Sequence, residues 1–244
     1  MNNILSISGG KDSTAMLVEM LERNEEIHSA VFFDTGWEFP AMYDHIEKLQ
    51  KYTGQKIWTL HPTLPFDYWL TARPVVARKG EKKGEVCRIG CGWPSSLRRW
   101  CTRQKVDAIH KYSKPIENDV QCIGYAADEM DRSFSDGKII HRFPLQDYGI
   151  TESDALTICR KHGFDWDGAY DHFNRVSCFC CPLQRIGELK KVRKYYPEQW
   201  ARMLEMENEM GEGAQRGFKD YTTVHDLEKR FHKEDYFEDN QKTF

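Results

Sequence analysis

The chain has 244 residues, enough for one sizeable α/β core with a smaller appended region but short of two full independent domains. Hydrophobic residues make up 40% and charged residues 30%, a balance that argues against global disorder. A formal net charge of −3 neither demands nor excludes a polyanionic partner, so any such partner has to be argued from local patches.

The first eight residues, Met1 to Ser8, lack a basic start followed by a long apolar run. They indicate neither a signal peptide nor a membrane span, and the expected location is the cytoplasm. Ile4 to Ser8 reads as a short apolar strand, Gly9-Gly10 breaks it, and Thr14 to Arg23 has helical periodicity. Ala30 to Phe33 reads as a second strand ending in Asp34-Thr35-Gly36. Pro40 then opens a helix with Met42, Ile46 and Leu49 on one face, and Lys56 to Leu60 reads as a third strand. This strand-helix rhythm predicts a parallel sheet flanked by helices, with ligands settling at the carboxyl ends of the strands.

Between His61 and Pro94 the chain is rich in Pro, Trp and Arg, and Arg78 to Glu85 reads as a mobile, solvated loop, either a lid or a tether. A basic helix-compatible segment from Ser95 to His110 carries Cys101, and Val120 to Gly124 reads as another buried strand. Thr151-Glu152-Ser153-Asp154 has the form of a capping box that starts a helix running to about His162. A cysteine cluster and a helical tail follow. The expected division is a catalytic domain over 1–182 and a mainly helical C-terminal extension over 183–244.

In Ser8-Gly9-Gly10-Lys11-Asp12-Ser13, paired glycines let the backbone approach a ligand, and the following helix aims its N–H groups and positive dipole end at phosphate. Ser8, Lys11 and Ser13 add donors. The spacing is not that of a Walker A loop. Asp34 has the chemistry to accept from a ribose or to hold a phosphate-bound Mg²⁺; the plainer role is a turn cap.

All eight cysteines fall between Cys87 and Cys181, which favours metal or redox chemistry over a disulfide framework. Cys178 and Cys181 form a Cys-x-x-Cys pair able to place two thiolates on one metal or cluster. Cys122, in a strand, and Cys159, in a helix, read as core residues. Trp166, Trp200 and the Met203, Met206, Met210 helix read as hydrophobic filling.

The Ser-Gly-Gly-x-Asp-Ser hexapeptide after an N-terminal strand resembles the pyrophosphate loop of the PP-loop ATP pyrophosphatase superfamily. Asp34-Thr35-Gly36-Trp37-Glu38-Phe39-Pro40, Arg99-Trp100-Cys101-Thr102 and Gly124 through Asp128-Glu129 to Arg132 are similar to segments of its phosphoadenosine phosphosulfate (PAPS) reductase-like branch. The likeness spans residue 4 to about 182. It implies an adenine nucleotide alpha hydrolase-like, Rossmann-like fold binding ATP, or PAPS or adenylyl sulfate, with Mg²⁺. The nucleotide would be held by Ser8, Gly9, Gly10, Lys11, Asp12, Ser13, Asp34, Thr35, Gly36, Arg98, Arg99 and Gly124, with Lys11, Asp12 and Arg132 as catalytic residues.

It further implies a [4Fe-4S] cluster on Cys101, Cys178 and Cys181; Cys91, ten residues before Cys101, is the choice for a fourth ligand, with Cys87, Cys180 or an open fourth position as alternatives, and zinc as the alternative metal. The reductases of that branch attack with a cysteine near the C-terminus, and no cysteine follows Cys181 in this sequence. The remaining enzymatic reading is adenylation by ATP followed by sulfur transfer, with a sulfur donor such as a cysteine desulfurase and DNA or tRNA as acceptor. Lys79, Lys82, Lys83, Arg98, Arg99, Arg103, Lys190, Lys191, Arg193 and Lys194 are the candidate phosphate contacts. A non-enzymatic nucleotide or redox sensor is the other alternative.

Overall fold

The computed structural model describes residues 1–132, 139–211, 213–214, 217–219 and 221–241, with the side chains of 130–132 and 238–241 outside that description. Arg132, expected at the site, therefore lies outside the described side chains. In chain order the elements are β1 (Asn2–Ile7), α1 (Lys11–Glu22), β2 (Ser29–Phe33), α2 (Pro40–Thr53), β3 (Ile57–Leu60), α3 (Phe66–Thr71), β4 (Pro74–Val76) and β5 (Val86–Ile89). There follow α4 (Trp100–Ser113), β6 (Asp119–Ile123), β7 (Ile140–Arg142), α5 (Pro144–Asp147), α6 (Glu152–Lys161), α7 (Ala169–His172), α8 (Ile186–Tyr195), α9 (Pro197–Asn208) and α10 (Val224–Gln241). The chain gathers into two compact units, Met1–Pro62 with Arg103–Cys178, and Thr63–Thr102 with Phe179–Phe244.

The first unit is built on a five-stranded sheet in the order β3-β2-β1-β6-β7, every neighbouring pair parallel. All five residues of β2 are buried, as are Ile4, Leu5 and Ile7 of β1, as expected of parallel strands covered on both faces. Ile4 and Val31 pack with Ile109 of α4 on one face, where Tyr112 and Ile116 close the edge. On α2, Met42, Ile46 and Leu49 are buried, as their spacing predicts, and Gly54 ends the helix at φ +66. The chain leaves β1 for β2 on one side and returns through β6 on the other. The carboxyl ends of β1 and β6 thus form the reversal point where open α/β sheets take their ligands.

Thr151 caps α6: its Oγ1 accepts from the Asp154 amide while the Asp154 carboxylate accepts from the Thr151 amide, the reciprocal box expected from the sequence. Helix α6 packs on α1. Cys122 and Cys159 are fully buried, and burial pushes both thiols up to about 12, in keeping with core roles.

The second unit holds α3, the β4–β5 pair and helices α8, α9 and α10. The solvated loop read over Arg78 to Glu85 is exposed throughout and forms the turn of an antiparallel hairpin, with Pro74 opposite Ile89 and Val76 opposite Val86. Short apolar runs flank the charged stretch on both sides, and cross-strand pairing outweighs the loop-like composition of its tip. Trp200, Met203, Met206 and Met210 are buried, as their helical spacing predicts. Among the described residues no helix is long and apolar enough to cross a membrane.

Candidate active site

Gly9, at φ +80, makes the turn from β1 into α1, a conformation that costs a side chain-bearing residue more than glycine. Its neighbour Gly10 has no room to spare, since a Cβ there would lie 3.2 Å from the Tyr170 hydroxyl and 3.4 Å from the Val176 carbonyl oxygen. Ser13 folds back on the turn: its hydroxyl donates to the Gly10 carbonyl at 3.1 Å, and its Oγ accepts from the Ser8 amide at 3.1 Å.

Helix starts leave their first amides without intrahelical partners. Here the Lys11 amide donates to Tyr170 Oη at 2.8 Å, and the Gly10 amide reaches Ser8 Oγ at a long 3.4 Å. No acceptor among the described residues takes the amides of Gly9, Asp12 or Ser13. The loop thus keeps three donors at the positive end of α1, an arrangement suited to an anion. From β6, Gly124 lies against the same turn: a Cβ there would sit 3.0 Å from the Asp12 carbonyl and Ser13 Cα. Only glycine fits there without moving the loop.

Lys11 is not presented as an open phosphate donor. Its side chain is 7% exposed, and Nζ lies 2.8 Å from Asp12 Oδ1 and 2.8 Å from Glu152 Oε2. Burial opposes its charge, but the two carboxylates outweigh burial and hold its pKa above the ordinary lysine value. Burial raises the Asp12 pKa, with Lys11 pulling it down and Glu152 and Glu129 adding to the rise. The Asp128 carboxylate accepts from the Glu152 amide at 3.0 Å, so a cluster of acids surrounds one buried ammonium.

The β2 turn is self-contained. Asp34 Oδ1 accepts from the Gly36 amide at 2.7 Å and from the Tyr43 hydroxyl at 2.9 Å, while Thr35 Oγ1 accepts from the Trp37 amide and donates to Glu38 Oε1. Glu38 is buried, and burial raises its carboxyl above the usual range against the opposing Thr35 hydrogen bond and Lys105 charge. Cys178 forms a bridge with Glu38, its Sγ 3.6 Å from Glu38 Oε1.

Cys178 belongs to the first unit; Cys91, Cys101 and Cys181 belong to the second. Cys101 is partly buried, and burial raises its pKa, with the Cys181 charge adding to the rise. Cys101 and Cys181 are near enough for the charge of one to act on the other, and thiolates are the ligand type that zinc and iron–sulfur clusters take. Cys91 is held in a turn docked on α3, its amide donating to the Trp69 carbonyl at 2.8 Å, and its Sγ lies 3.7 Å from Arg73 Nη1. Of the two alternatives, Cys180 is buried and Cys87 is exposed on β5 with its thiol on the Val75 carbonyl. Among the described residues no three or more His, Cys, Asp or Glu side chains are grouped as for a metal ion. Arg98 closes a short turn with Ser95, each amide donating to the other's carbonyl, and Arg99 beside it is exposed.

Sequence reasoning missed Trp166, Tyr170, Glu152, Glu38 and His45. Trp166 Nε1 donates to the Gly9 carbonyl at 2.8 Å, and His45 stacks on Trp166 while its Nε2 lies 2.8 Å from Thr14 Oγ1. Glu152 carried only its position inside a capping box as a signal and Glu38 only its place in the Asp34–Pro40 segment; Trp166, Tyr170 and His45 meet the loop and α1 through tertiary packing alone.

A family model described as the phosphoadenosine phosphosulfate reductase domain matches residues 2–183. The uncharacterized protein MJ0066 of Methanocaldococcus jannaschii is 26% identical over 229 residues, covering 87% of this chain but 42% of its own length. The chain therefore spans less than half of that relative. Among solved structures, the phosphoadenylyl-sulfate reductase of Candida auris in a phosphate complex gives a TM-score of 0.45 at 14% identity, over 70% of this chain and 77% of that one. The U34-tRNA thiolase NcsA of Methanococcus maripaludis with its [4Fe-4S] cluster gives 0.47 at 15% identity, over 85% and 72%.

Proposed function

Because this chain belongs to the phosphoadenosine phosphosulfate reductase domain family, we propose that it is an adenylating enzyme of the PP-loop type: it binds ATP at the start of α1 and serves a sulfurtransferase reaction. The observation that carries this reading is the trio of amides at Gly9, Asp12 and Ser13 with no protein acceptor among the described residues, at the reversal point of a parallel sheet. In the reaction, an acceptor oxygen forms a bond to the α-phosphorus while the bond from that phosphorus to the bridging oxygen of pyrophosphate breaks. Pyrophosphate leaves with the electron pair; the terminal sulfur of an external persulfide donor, such as a cysteine desulfurase, then bonds to the activated acceptor atom as AMP leaves with its oxygen, and an external dithiol reduces the resulting acceptor–S–S–donor disulfide by two electrons to free the thiolated acceptor.

The chain's own residues supply placement and charge. The three amides and the Ser8 hydroxyl bind the departing pyrophosphate, where fixed donors in a shielded site do most for developing charge. The Lys11 ammonium, shared between Asp12 and Glu152, offsets those carboxylates so that an anion can approach. Asp34 has the oxygen chemistry that would suit a phosphate-bound Mg²⁺, which would neutralise phosphate charge. Cys101 and Cys181 are the thiols suited to a [4Fe-4S] cluster, or to zinc, and the cluster would supply a place to hold sulfur before transfer.

The test is release of pyrophosphate and AMP from α-labelled ATP by anaerobically reconstituted protein given a sulfur donor and candidate DNA or tRNA acceptors. Nucleotide-dependent release that Ser13→Ala weakens supports the reading. Sulfite production from adenylyl sulfate or PAPS with thioredoxin, without pyrophosphate release, overturns it in favour of reduction. Nucleotide binding with neither activity points to a sensor.

A further inference from the structure

The basic residues of the second unit differ in whether a carboxylate meets them; on α8, Lys194 is exposed with no carboxylate partner among the described residues and lies 5.1 Å from the Tyr195 ring centre. On the C-terminal helices, Lys190 pairs with Glu234 and Asp235, Lys191 with Glu188, Arg193 with Glu228 and Asp235, and Arg202 with Asp67. Those cations are already neutralised. In the β4–β5 hairpin, Arg78, Lys79, Lys82 and Lys83 are all exposed, and no carboxylate among the described residues pairs with any of them. The segment Thr63–Thr102 carries eight basic against three acidic residues, a net of +5 in a chain whose formal net charge is −3.

This basic tip is also shaped. The Ala77 amide donates to Glu85 and the Gly84 amide to Ala77, both at 2.9 Å, extending the ladder beyond β4 and β5. Turns inside the tip are closed by Lys83 to Gly80 at 3.1 Å and Glu85 to Lys82 at 3.0 Å, with Gly80 and Gly84 in the left-handed region. At the base, the amides of Gly90, Cys91 and Gly92 donate to the carbonyls of Arg73, Trp69 and Leu70. A Cβ on Gly90 would come within 2.5 Å of the Leu70 carbonyl oxygen, so the arm's root is tightly docked on α3. Four unpaired cations are therefore displayed at the end of a two-stranded ribbon, with little ordering left to do on binding.

We propose that the β4–β5 hairpin is a nucleic-acid-binding arm, its tip cations contacting the phosphate backbone of the acceptor. A two-stranded ribbon is of a size that nucleic-acid grooves admit, and phosphates repeated along a strand match a row of separate cations better than one small anion does. The identification of this partner as the acceptor rests on the adenylating reading above; backbone binding by the arm does not.

The test is fluorescence anisotropy of full-length protein with a labelled RNA stem-loop and a DNA duplex, across a salt series. The joint variant Arg78→Gln, Lys79→Gln, Lys82→Gln, Lys83→Gln is compared with the control Lys190→Gln, Lys191→Gln. The arm variant is expected to weaken binding about tenfold or more and to make the logarithmic salt slope shallower by about 3, near one unit per phosphate contact. The control leaves both unchanged. A Lys79→Arg, Lys82→Arg, Lys83→Arg variant, which keeps the charge, should bind as the parent does; if it also fails while melting normally, charge is not the cause and the proposal is lost. Equal weakening by arm and control variants, or retention of anionic phosphatidylserine vesicles with no affinity for either nucleic acid, overturns it. Pyrophosphate release, measured on the same samples with ATP, sulfur donor and the nucleic acids as acceptors, separates the two readings: arm-dependent binding with no release under any condition defeats the adenylating reading and leaves the arm standing.

Discussion

The indole N–H of Trp166 donates to the carbonyl oxygen of Gly9 at 2.8 Å, so a residue far along the chain fixes the first bend of the phosphate loop. Trp166 does this from φ +50, a left-handed conformation that is rare for a bulky residue and costs on the order of 1–3 kcal/mol. Stacking on His45 at 4.2 Å and an edge contact with Tyr170 at 4.7 Å help to hold it there. Trp166→Phe keeps an aromatic ring but strands a buried carbonyl, and is expected to lower stability by about 1–3 kcal/mol. Nucleotide affinity should fall as well, because the bend that presents the amides loses its tie. Calorimetric titration with ATP and a denaturant melt check both; unchanged affinity with lowered stability would confine Trp166 to a packing role.

Tyr170 allows a sharper separation of loop and ligand. Its hydroxyl is buried and accepts from the Lys11 amide at 2.8 Å, and burial raises its pKa so that it stays a neutral phenol. Tyr170→Phe leaves that amide without an acceptor, costing about 1–3 kcal/mol in the ligand-free protein. A phosphate oxygen that reaches the amide would recover part of this loss, so saturating ATP should raise the melting temperature of Tyr170→Phe by more than it raises that of the parent. Equal shifts would mean that the nucleotide leaves the Lys11 amide alone.

What the sequence disclosed, and what it hid, follows from the range over which each signal acts. The Gly9-Gly10 turn, the Pro40 helix start, the Thr151 capping box and the parallel strands are written in neighbouring residues, where propensity and periodicity operate. The hairpin was obscured because Arg78 to Glu85 reads as solvated loop, while its pairing depends on residues on both sides of it. Trp166 reads as core filling and Tyr170 carries no sequence signal; each is buried, yet each also spends one polar atom on the loop. Lys11 was read from motif position as a donor to phosphate, and nothing near it in sequence reveals that Glu152 lies 2.8 Å from its ammonium.

His45 provides a pH signature. Burial, with Lys48 adding to it, lowers its pKa from 6.5 to about 3, so the imidazole stays neutral beside Thr14 and under Trp166. Its folded pKa lies below the unfolded one, so its contribution is fully present above pH 6.5 and is lost as pH falls towards 3, by roughly 1.4 kcal/mol per pH unit. In His45→Gln, which does not titrate, the melting temperature should fall less steeply between pH 6.5 and 4 than in the parent. Parallel pH profiles would show that His45 is protonated in the fold and that the packing around it yields.

Lys11 sits between Asp12 and Glu152, and its removal should do more than delete a ligand contact. Burial already raises the Asp12 pKa, and Lys11 is the charge that opposes the rise. In Lys11→Met the Asp12 carboxyl therefore moves further above its unfolded value, and the folded state prefers it protonated. A raised folded pKa means stability that is present at low pH and lost as pH rises through it, so the cost of Lys11→Met should grow from pH 5 to pH 8, by about 1–2 kcal/mol once partial exposure of both carboxylates is allowed for. Glu152→Gln removes one of the two acids and should partly rescue Lys11→Met at pH 8, with little rescue at pH 5. Denaturant melts of the single and double variants at both pH values measure this coupling, and a cost independent of pH would show that Lys11 acts through packing and not through its charge.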